Sequence, residues 1–165
     1  MKRLFYILLL FSSLLTLFGC GKNASPRAFC WQVYPLTGQI TVKKGESEVK
    51  ADLLLKKEQM TLTLQGQNEG TAFLLTENEA ILKAGELTLP IPKERLPEEG
   101  LLFDALTLPE DTPLLKSTAS LEGRSCTVFT HVTNEVNFRY YLEGERLLRV
   151  VIEKEEPITV DFSIE

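Results

Sequence analysis

The sequence predicts a mainly β fold: a curved antiparallel sheet or open half-barrel of about ten short strands, with a short helical or proline-rich lid segment. Three observations carry this reading. Apolar residues recur at every second position through most of the chain, as in Val49, Ala51, Leu53 and Leu55, or Ile158, Val160, Phe162 and Ile164. That period buries one face of a strand and leaves the other to water. Turn-forming clusters break the pattern at intervals of roughly 8 to 12 residues, the spacing of hairpin-linked strands. The alternation fails once, across a stretch holding Pro90, Pro92, Pro97, Pro109 and Pro113, because proline has no N–H to give to a ladder.

Taken in order, Gln39 to Lys43 alternates, and Lys44-Gly45-Glu46 turns the chain into the Val49–Leu55 strand. Lys56-Lys57-Glu58-Gln59 leads to Met60, Leu62 and Leu64, and Gln67-Asn68-Glu69-Gly70 breaks to a strand over Thr71 to Thr76. Glu77-Asn78-Glu79 and Gly85 bound two more short strands, Ala80 to Lys83 and a run ending at Leu89. Pro97-Glu98-Glu99 then opens an apolar run, Gly100 to Leu106. Proline at a first helical position and acids in a first turn suit a short helix, although an irregular loop covering the core fits the same residues. Strands resume at Lys116–Leu121 and Cys126–Thr130, and His131 to Asn134 reads as a connection. Val136, Phe138, Tyr140 and Leu142 form the next strand, Glu143-Gly144-Glu145 a turn, and Leu147–Ile152 and Ile158–Ile164 the last two strands.

Ahead of the sheet, Lys2 and Arg3 precede an apolar run from Leu4 to Phe18 broken only by Ser12, Ser13 and Thr16. This is the layout of a signal peptide. At about 15 residues it falls short of the roughly 20 that span a bilayer. Leu17-Phe18-Gly19-Cys20 resembles the lipobox of bacterial lipoproteins, with a branched apolar residue three before the cysteine and a small one directly before it. The resemblance implies cleavage before Cys20, acylation of its thiol, and a mature chain anchored in the cell membrane on its extracytoplasmic face. Two or three acyl chains make such an anchor durable, at about 0.8 kcal/mol per buried CH₂. The chain then divides into a signal peptide over 1–19, a lipidated cysteine and tether over 20–28, and one antiparallel β domain over 29–165.

The formal net charge is −5. Lys2 and Arg3 are the only charges before Cys20, so cleavage leaves a still more acidic domain. Such a domain is a poor partner for nucleic acid. With Cys20 assigned to lipid, Cys30 and Cys126 remain. In an oxidising compartment they form either one bridge, closing a loop of roughly a hundred residues, or two separate buried thiols.

Catalytic chemistry lacks its parts. His131 is the only histidine and falls in a predicted connection. Ser125 and Cys126 lie near it in sequence, but no nucleophile elbow, phosphate-cradling glycine loop or clustered metal-ligand spacing accompanies them. The acidic pairs Glu98-Glu99, Glu110-Asp111 and Glu155-Glu156 read as solvated turns, and match neither a calcium loop nor a paired-carboxylate cleft. Trp31 and Tyr140-Tyr141 suggest sugar stacking, but alternation sends the two tyrosines to opposite faces. The sequence therefore predicts no enzyme, no cofactor and no metal.

The succession of lipobox, alternating strands, proline-rich helical interruption and closing strands resembles the LolA/LolB-like lipoprotein-carrier superfamily, which includes the LppX/LprG-type lipoproteins. The ending carries it best: Tyr140-Tyr141-Leu142-Glu143-Gly144-Glu145-Arg146-Leu147-Leu148-Arg149-Val150-Val151-Ile152, then Ile158-Thr159-Val160-Asp161-Phe162. The resemblance implies a curved sheet whose concave face is closed by the helical segment. It further implies binding of a lipid or other apolar ligand there, as a carrier, sensor or chaperone. Leu53, Leu55, Met60, Leu62, Leu64, Leu101, Leu102, Phe103, Leu106, Phe138 and Tyr140 are the expected wall and lid, each equally able to serve as ordinary core. The reading requires a cavity that admits an acyl chain. The alternative is a tethered β domain that docks on another envelope protein through edge strands and an acidic face, with no small ligand.

Overall fold

The computed structural model describes residues 27–66 and 70–163. Cys20, the signal-peptide reading, most of the tether and the expected break at Gln67-Asn68-Glu69 lie outside the described residues. Eleven strands follow in chain order: β1 (Leu36–Lys44), β2 (Ser47–Lys56), β3 (Gln59–Leu64), β4 (Thr71–Thr76), β5 (Ala80–Ala84), β6 (Leu87–Ile91), β7 (Leu115–Leu121), β8 (Arg124–Val132), β9 (Asn137–Glu143), β10 (Arg146–Glu153) and β11 (Ile158–Ser163). Between β6 and β7 lie a 3-10 turn (Lys93–Arg95) and one helix, α1 (Pro97–Leu106).

All strands join one open antiparallel sheet in the order β6-β5-β4-β3-β2-β1-β11-β10-β9-β8-β7. The mainly β reading with one helical interruption holds. Each of the eleven segments read from the sequence is a strand, and the difference lies in extent: His131 and Val132 continue β8 instead of starting a connection. The register partner of His131 is Phe138, on which its ring stacks at 6.2 Å. His131 therefore shares the face of Phe138, while Cys126, five residues away, faces the other side, so no Cys–His pair forms.

The first and last strands pair in the middle of the sheet, from Gln39 opposite Ser163 to Lys44 opposite Ile158. One apolar row crosses five strands by register: Val42, Val160, Val150, Tyr140 and Phe129. Residues from both halves of the sheet and from α1 belong to a single buried core. Laid flat, eleven strands would span about 50 Å, whereas a ten-residue helix is about 15 Å long. One helix can reach β4 and β10 together, as α1 does, only because the sheet curls around it.

α1 starts as its sequence suggests, with Pro97 in its first turn, Glu98 and Glu99 behind it, and the Gly100 N–H donating to the Leu96 carbonyl at 2.9 Å. It ends at Leu106, three residues before Pro109, which disfavours helical backbone at the preceding Leu108. The last carbonyls of a helix have no partner within it, and here side chains from elsewhere supply them. The Tyr140 hydroxyl donates to the Ala105 carbonyl at 2.7 Å, and Gln32 Nε2 donates to those of Leu106 and Leu108 at 3.3 and 2.8 Å. Trp31 stacks on the Tyr140 ring at 4.5 Å. The residue offered by sequence for sugar stacking is thus buried, and Tyr141 faces the opposite side.

On the convex face, Arg149 Nε donates to Asp161 and Arg149 Nη2 reaches Glu122 at 3.1 Å, so the β7–β8 turn is held two strands inward over β10. Cys126 and Val128 are buried on this side, outside the main core. Cys30 and Cys126 are both free thiols, not the bridged pair that cysteine arithmetic allowed. The Cys30 thiol lies 3.8 Å from the Glu145 carbonyl, and that of Cys126 lies 3.9 Å from the Arg124 carbonyl. Burial, with Glu145 and Glu143 respectively nearby, raises the pKa of each.

Removing the Tyr140 hydroxyl alone should expose the dependence of α1 on the sheet. Tyr140→Phe keeps the ring stack but leaves a buried carbonyl unpaired, so urea unfolding should show a loss of about 1 to 3 kcal/mol with an unchanged slope.

Candidate functional site

Most of the predicted wall is filled core. Leu53, Leu55, Met60, Leu102, Phe103, Leu106, Phe138 and Tyr140 are buried in one cluster, and Leu101 packs half-buried against it. A gap remains where α1 begins. Facing its first two turns, β1, β2 and β11 present Val42, Val49, Ala51 and Val160, side chains too short to fill the space beneath Leu102. The result is an apolar pocket of about 220 Å³. Leu62, Leu64 and Phe73 close one side, and Ile40 and Ile158 form the floor with the residues already named. Of the eleven residues predicted for ligand contact, only Leu62, Leu64 and Leu102 line it.

The rim is charged. Lys44 Nζ lies 2.8 Å from Glu98 Oε1 and 3.5 Å from Glu156 Oε2, and Lys154 Nζ lies 3.7 Å from the same Glu98 oxygen. The Lys44 ammonium pulls the Glu98 carboxyl below its usual range, and Glu98 in turn raises Lys44. Gly45 follows Lys44 at φ +55°, and a Cβ there would meet Glu156 Oε1 at 2.7 Å, so glycine lets the turn sit against this rim. Glu99 also lines the pocket, and no cation among the described residues pairs with it. Burial raises its pKa, with Glu98 adding repulsion. This outweighs the pull of the helix N-terminus on a negative charge.

Sequence reasoning overlooked Val42, Val49, Val160 and Lys44 as site residues. They meet only because β1 pairs with both β2 and β11. A signal for Val42 was present in its own alternation, but nothing local pairs it with Val160. Glu98 and Glu99 were visible as helix-opening acids, and their position at a pocket mouth was not. No helix among the described residues is long and apolar enough to cross a membrane.

No protein-family model matches the chain, and no curated protein matches it. Among solved structures it is similar to MucB at 12% identity and TM-score 0.44, covering 78% of this chain and 51% of that one. The complex of Pseudomonas aeruginosa MucA and MucB gives the same identity and TM-score, with 50% of that chain covered. A LolA superfamily protein, NE2245 from Nitrosomonas europaea, matches at 12% identity and TM-score 0.39, covering 85% of this chain and 92% of that one. The chain thus spans about half the length of the MucB chains it matches.

The rim carboxylates titrate in opposite senses. Glu99, raised by burial, contributes stability at low pH that is lost as pH rises through its folded-state pKa, whereas Glu98, lowered by Lys44, loses its contribution on acidification. Glu99→Gln removes only the first effect. Its urea midpoint should exceed that of the parent at pH 7, and the difference should shrink as pH falls below the ordinary carboxylate range.

Proposed function

We propose that the chain is a non-catalytic, membrane-tethered extracytoplasmic domain that holds the apolar end of a small amphiphile in the pocket beneath the start of α1. The observation that supports this is the division of the pocket into an aliphatic floor and a charged rim. Val42, Val49, Leu62, Leu64, Phe73 and Leu102 meet the inserted group, and Lys44, Glu98 and Glu99 meet what projects from it.

Volume sets the scale of the ligand. Small-molecule sites occupy about 300 to 1,000 Å³, and an apolar cavity of about 150 Å³ takes up benzene. At about 220 Å³ the pocket suits a chain end or short branched group, not the whole acyl chain that the carrier reading required. Rim charge selects the head group. Glu98, Glu99 and Glu156 face two ammonium groups, those of Lys44 and Lys154, both already ion-paired. A neutral or amine-bearing head is therefore favoured over a carboxylate or phosphate. The tether is the lipid on Cys20, and it sets the compartment in which this ligand is met.

Val49 tests the pocket better than Leu62, because Val49 is 42% exposed and Leu62 is 4% exposed and part of the core. Residues 21–165 retain every core residue and should take up the apolar dye N-phenyl-1-naphthylamine, with decylamine displacing it better than decanoate. Val49→Arg should weaken dye uptake at least about tenfold while leaving the urea midpoint unchanged. Dye uptake equal in the variant and the parent, or absent from both, would sink the pocket reading.

The anchor has its own test. The full chain expressed in a bacterial host should partition into the detergent phase of Triton X-114, and Cys20→Ser should move the chain out of it. Unchanged partitioning would rule out Cys20 as the attachment point.

A further inference from the structure

An open sheet has two free edges, and the two here are treated differently. β6 is closed off by Pro90. Its hairpin with β5 turns through Gly85 at φ 60° and Glu86, with Ala84 opposite Leu87. In such a two-residue hairpin the flanking pair exchanges hydrogen bonds, and outward positions alternate from there. Thr88 and Pro90 therefore face the open edge, and Pro90 has no N–H to offer. Natural sheets use proline in this way to block edge pairing.

β7 carries no such guard. Its hairpin with β8 turns through Glu122 at φ 52° and Gly123 at φ 81°, with Leu121 opposite Arg124. The same alternation turns the backbone groups of Leu115, Ser117, Ala119 and Leu121 toward β8, and those of Lys116, Thr118 and Ser120 outward. No proline interrupts the strand, and every residue from Leu115 to Thr118 is exposed, Leu115 at 67%.

The strand Leu-Lys-Ser-Thr-Ala-Ser-Leu is also close to complementary to its own reverse. We propose that β7 pairs antiparallel with β7 of a second copy of this chain, about a two-fold axis at Thr118. In that register Thr118 faces Thr118 of the other copy, and Lys116 faces Ser120 on either side. These are the outward-facing residues, so all of their N–H and C=O groups find partners. On the convex side Ser117 meets Ala119, both small, and the exposed Leu115 meets the half-buried Leu121. The strand's one charge is no obstacle. The two Lys116 residues sit four positions apart along the paired strands, about 14 Å, beyond the screening length of roughly 8 Å at physiological salt. Lys116 already lies over the Phe129 ring, 5.5 Å from its centroid, on the concave side. A second copy fits this edge better than an unrelated strand because the side-chain sizes match in a two-fold register. The proposal is independent of the pocket.

One strand pair buries less than the about 1,200 Å² of a stable complex, so the association is weak and dynamic. In sedimentation velocity, residues 21–165 should rise from monomer toward dimer mass between about 10 µM and 1 mM. Higher salt should strengthen the association, because each copy of residues 21–165, with 16 Lys and Arg against 23 Asp and Glu, carries a formal charge of −7. Thr118→Pro removes an outward N–H that β8 does not use, and should return the protein to monomer. Cysteine cross-linking gives an arm that does not depend on that variant folding. Opposed Thr118 residues would sit about 5.5 Å apart between Cα atoms, within disulfide reach. Thr118→Cys should therefore form a covalent dimer, whereas Leu115→Cys, whose partner in this register is Leu121, should form at least about tenfold less. A monomer at every concentration would overturn the pairing, and so would association that survives Thr118→Pro in a folded variant. Equal cross-linking at positions 115 and 118 would overturn the register.

Discussion

The pairing of β1 with β11 is the constraint on which the architecture rests. It places the two ends of the domain side by side in the middle of the sheet and pushes strands that are consecutive in sequence, β6 and β7, to opposite edges. The connection between them must then travel from one edge to the other. Routing it across the apolar face lets the same segment cover the core, and residues 92–114 do so, with α1 at the centre. The segment that looks like an interruption of the sheet is thus the one piece that both halves of the sheet share. Because that pairing joins residues more than a hundred positions apart, the sheet has no centre until the whole chain is present, a topology that folds slowly.

α1 could not stand alone. Isolated helices shorter than about 12 to 15 residues are marginal in water, and this one spans Pro97–Leu106 with no side-chain N-cap and no basic residue in its last turn. Its stability comes from outside, through Leu102, Phe103, Ala105 and Leu106 buried in the core and through carbonyls taken up by Tyr140 and Gln32. Gln32 comes from the segment before β1 and Tyr140 from β9, with Trp31 stacked between that segment and the sheet. The segment before β1 and strand β9 therefore converge on the C-terminal end of the helix. The arrangement carries a cost, since the buried indole Nε1 of Trp31 has no hydrogen-bond partner among the described residues.

What was legible in the sequence follows from the range of the interactions involved. Period-two alternation and turn residues are local, and they located strands such as β2, β9 and β11 closely. Pro97 and the two glutamates marked the start of α1 for the same reason. His131 was misplaced because a polar residue beside Val132-Thr133-Asn134 resembles a turn, while its place on β8 is set by stacking on Phe138 across the ladder. The pocket was only partly legible. Leu62, Leu64 and Leu102 stood out as large apolar residues, but a cavity forms where side chains are too small, and Val42, Val49 and Ala51 carry no mark of emptiness until β1 is placed between β2 and β11. Likewise, Cys30 and Cys126 formed a plausible pair by count alone, and separate neighbours at the Glu145 and Arg124 carbonyls could not be read from their number.

The distribution of polar groups limits what the interior can do. Among the described residues no charged side chain is fully buried, and the polar atoms of buried residues include the Tyr140 hydroxyl, bonded to the Ala105 carbonyl, the Trp31 indole Nε1 and the Cys126 thiol. The ion pairs lie on the convex face around Arg149 and Asp161, or at the pocket rim around Lys44 and Glu98. The pocket beneath α1 is lined mostly by aliphatic side chains, and the charges lie at its rim. At that rim Glu99 stands half-buried beside the Lys44–Glu98 pair. Lys44 compensates the charge on Glu98, whereas burial raises the pKa of Glu99, so Glu99 is the rim carboxylate whose ionisation works against the fold.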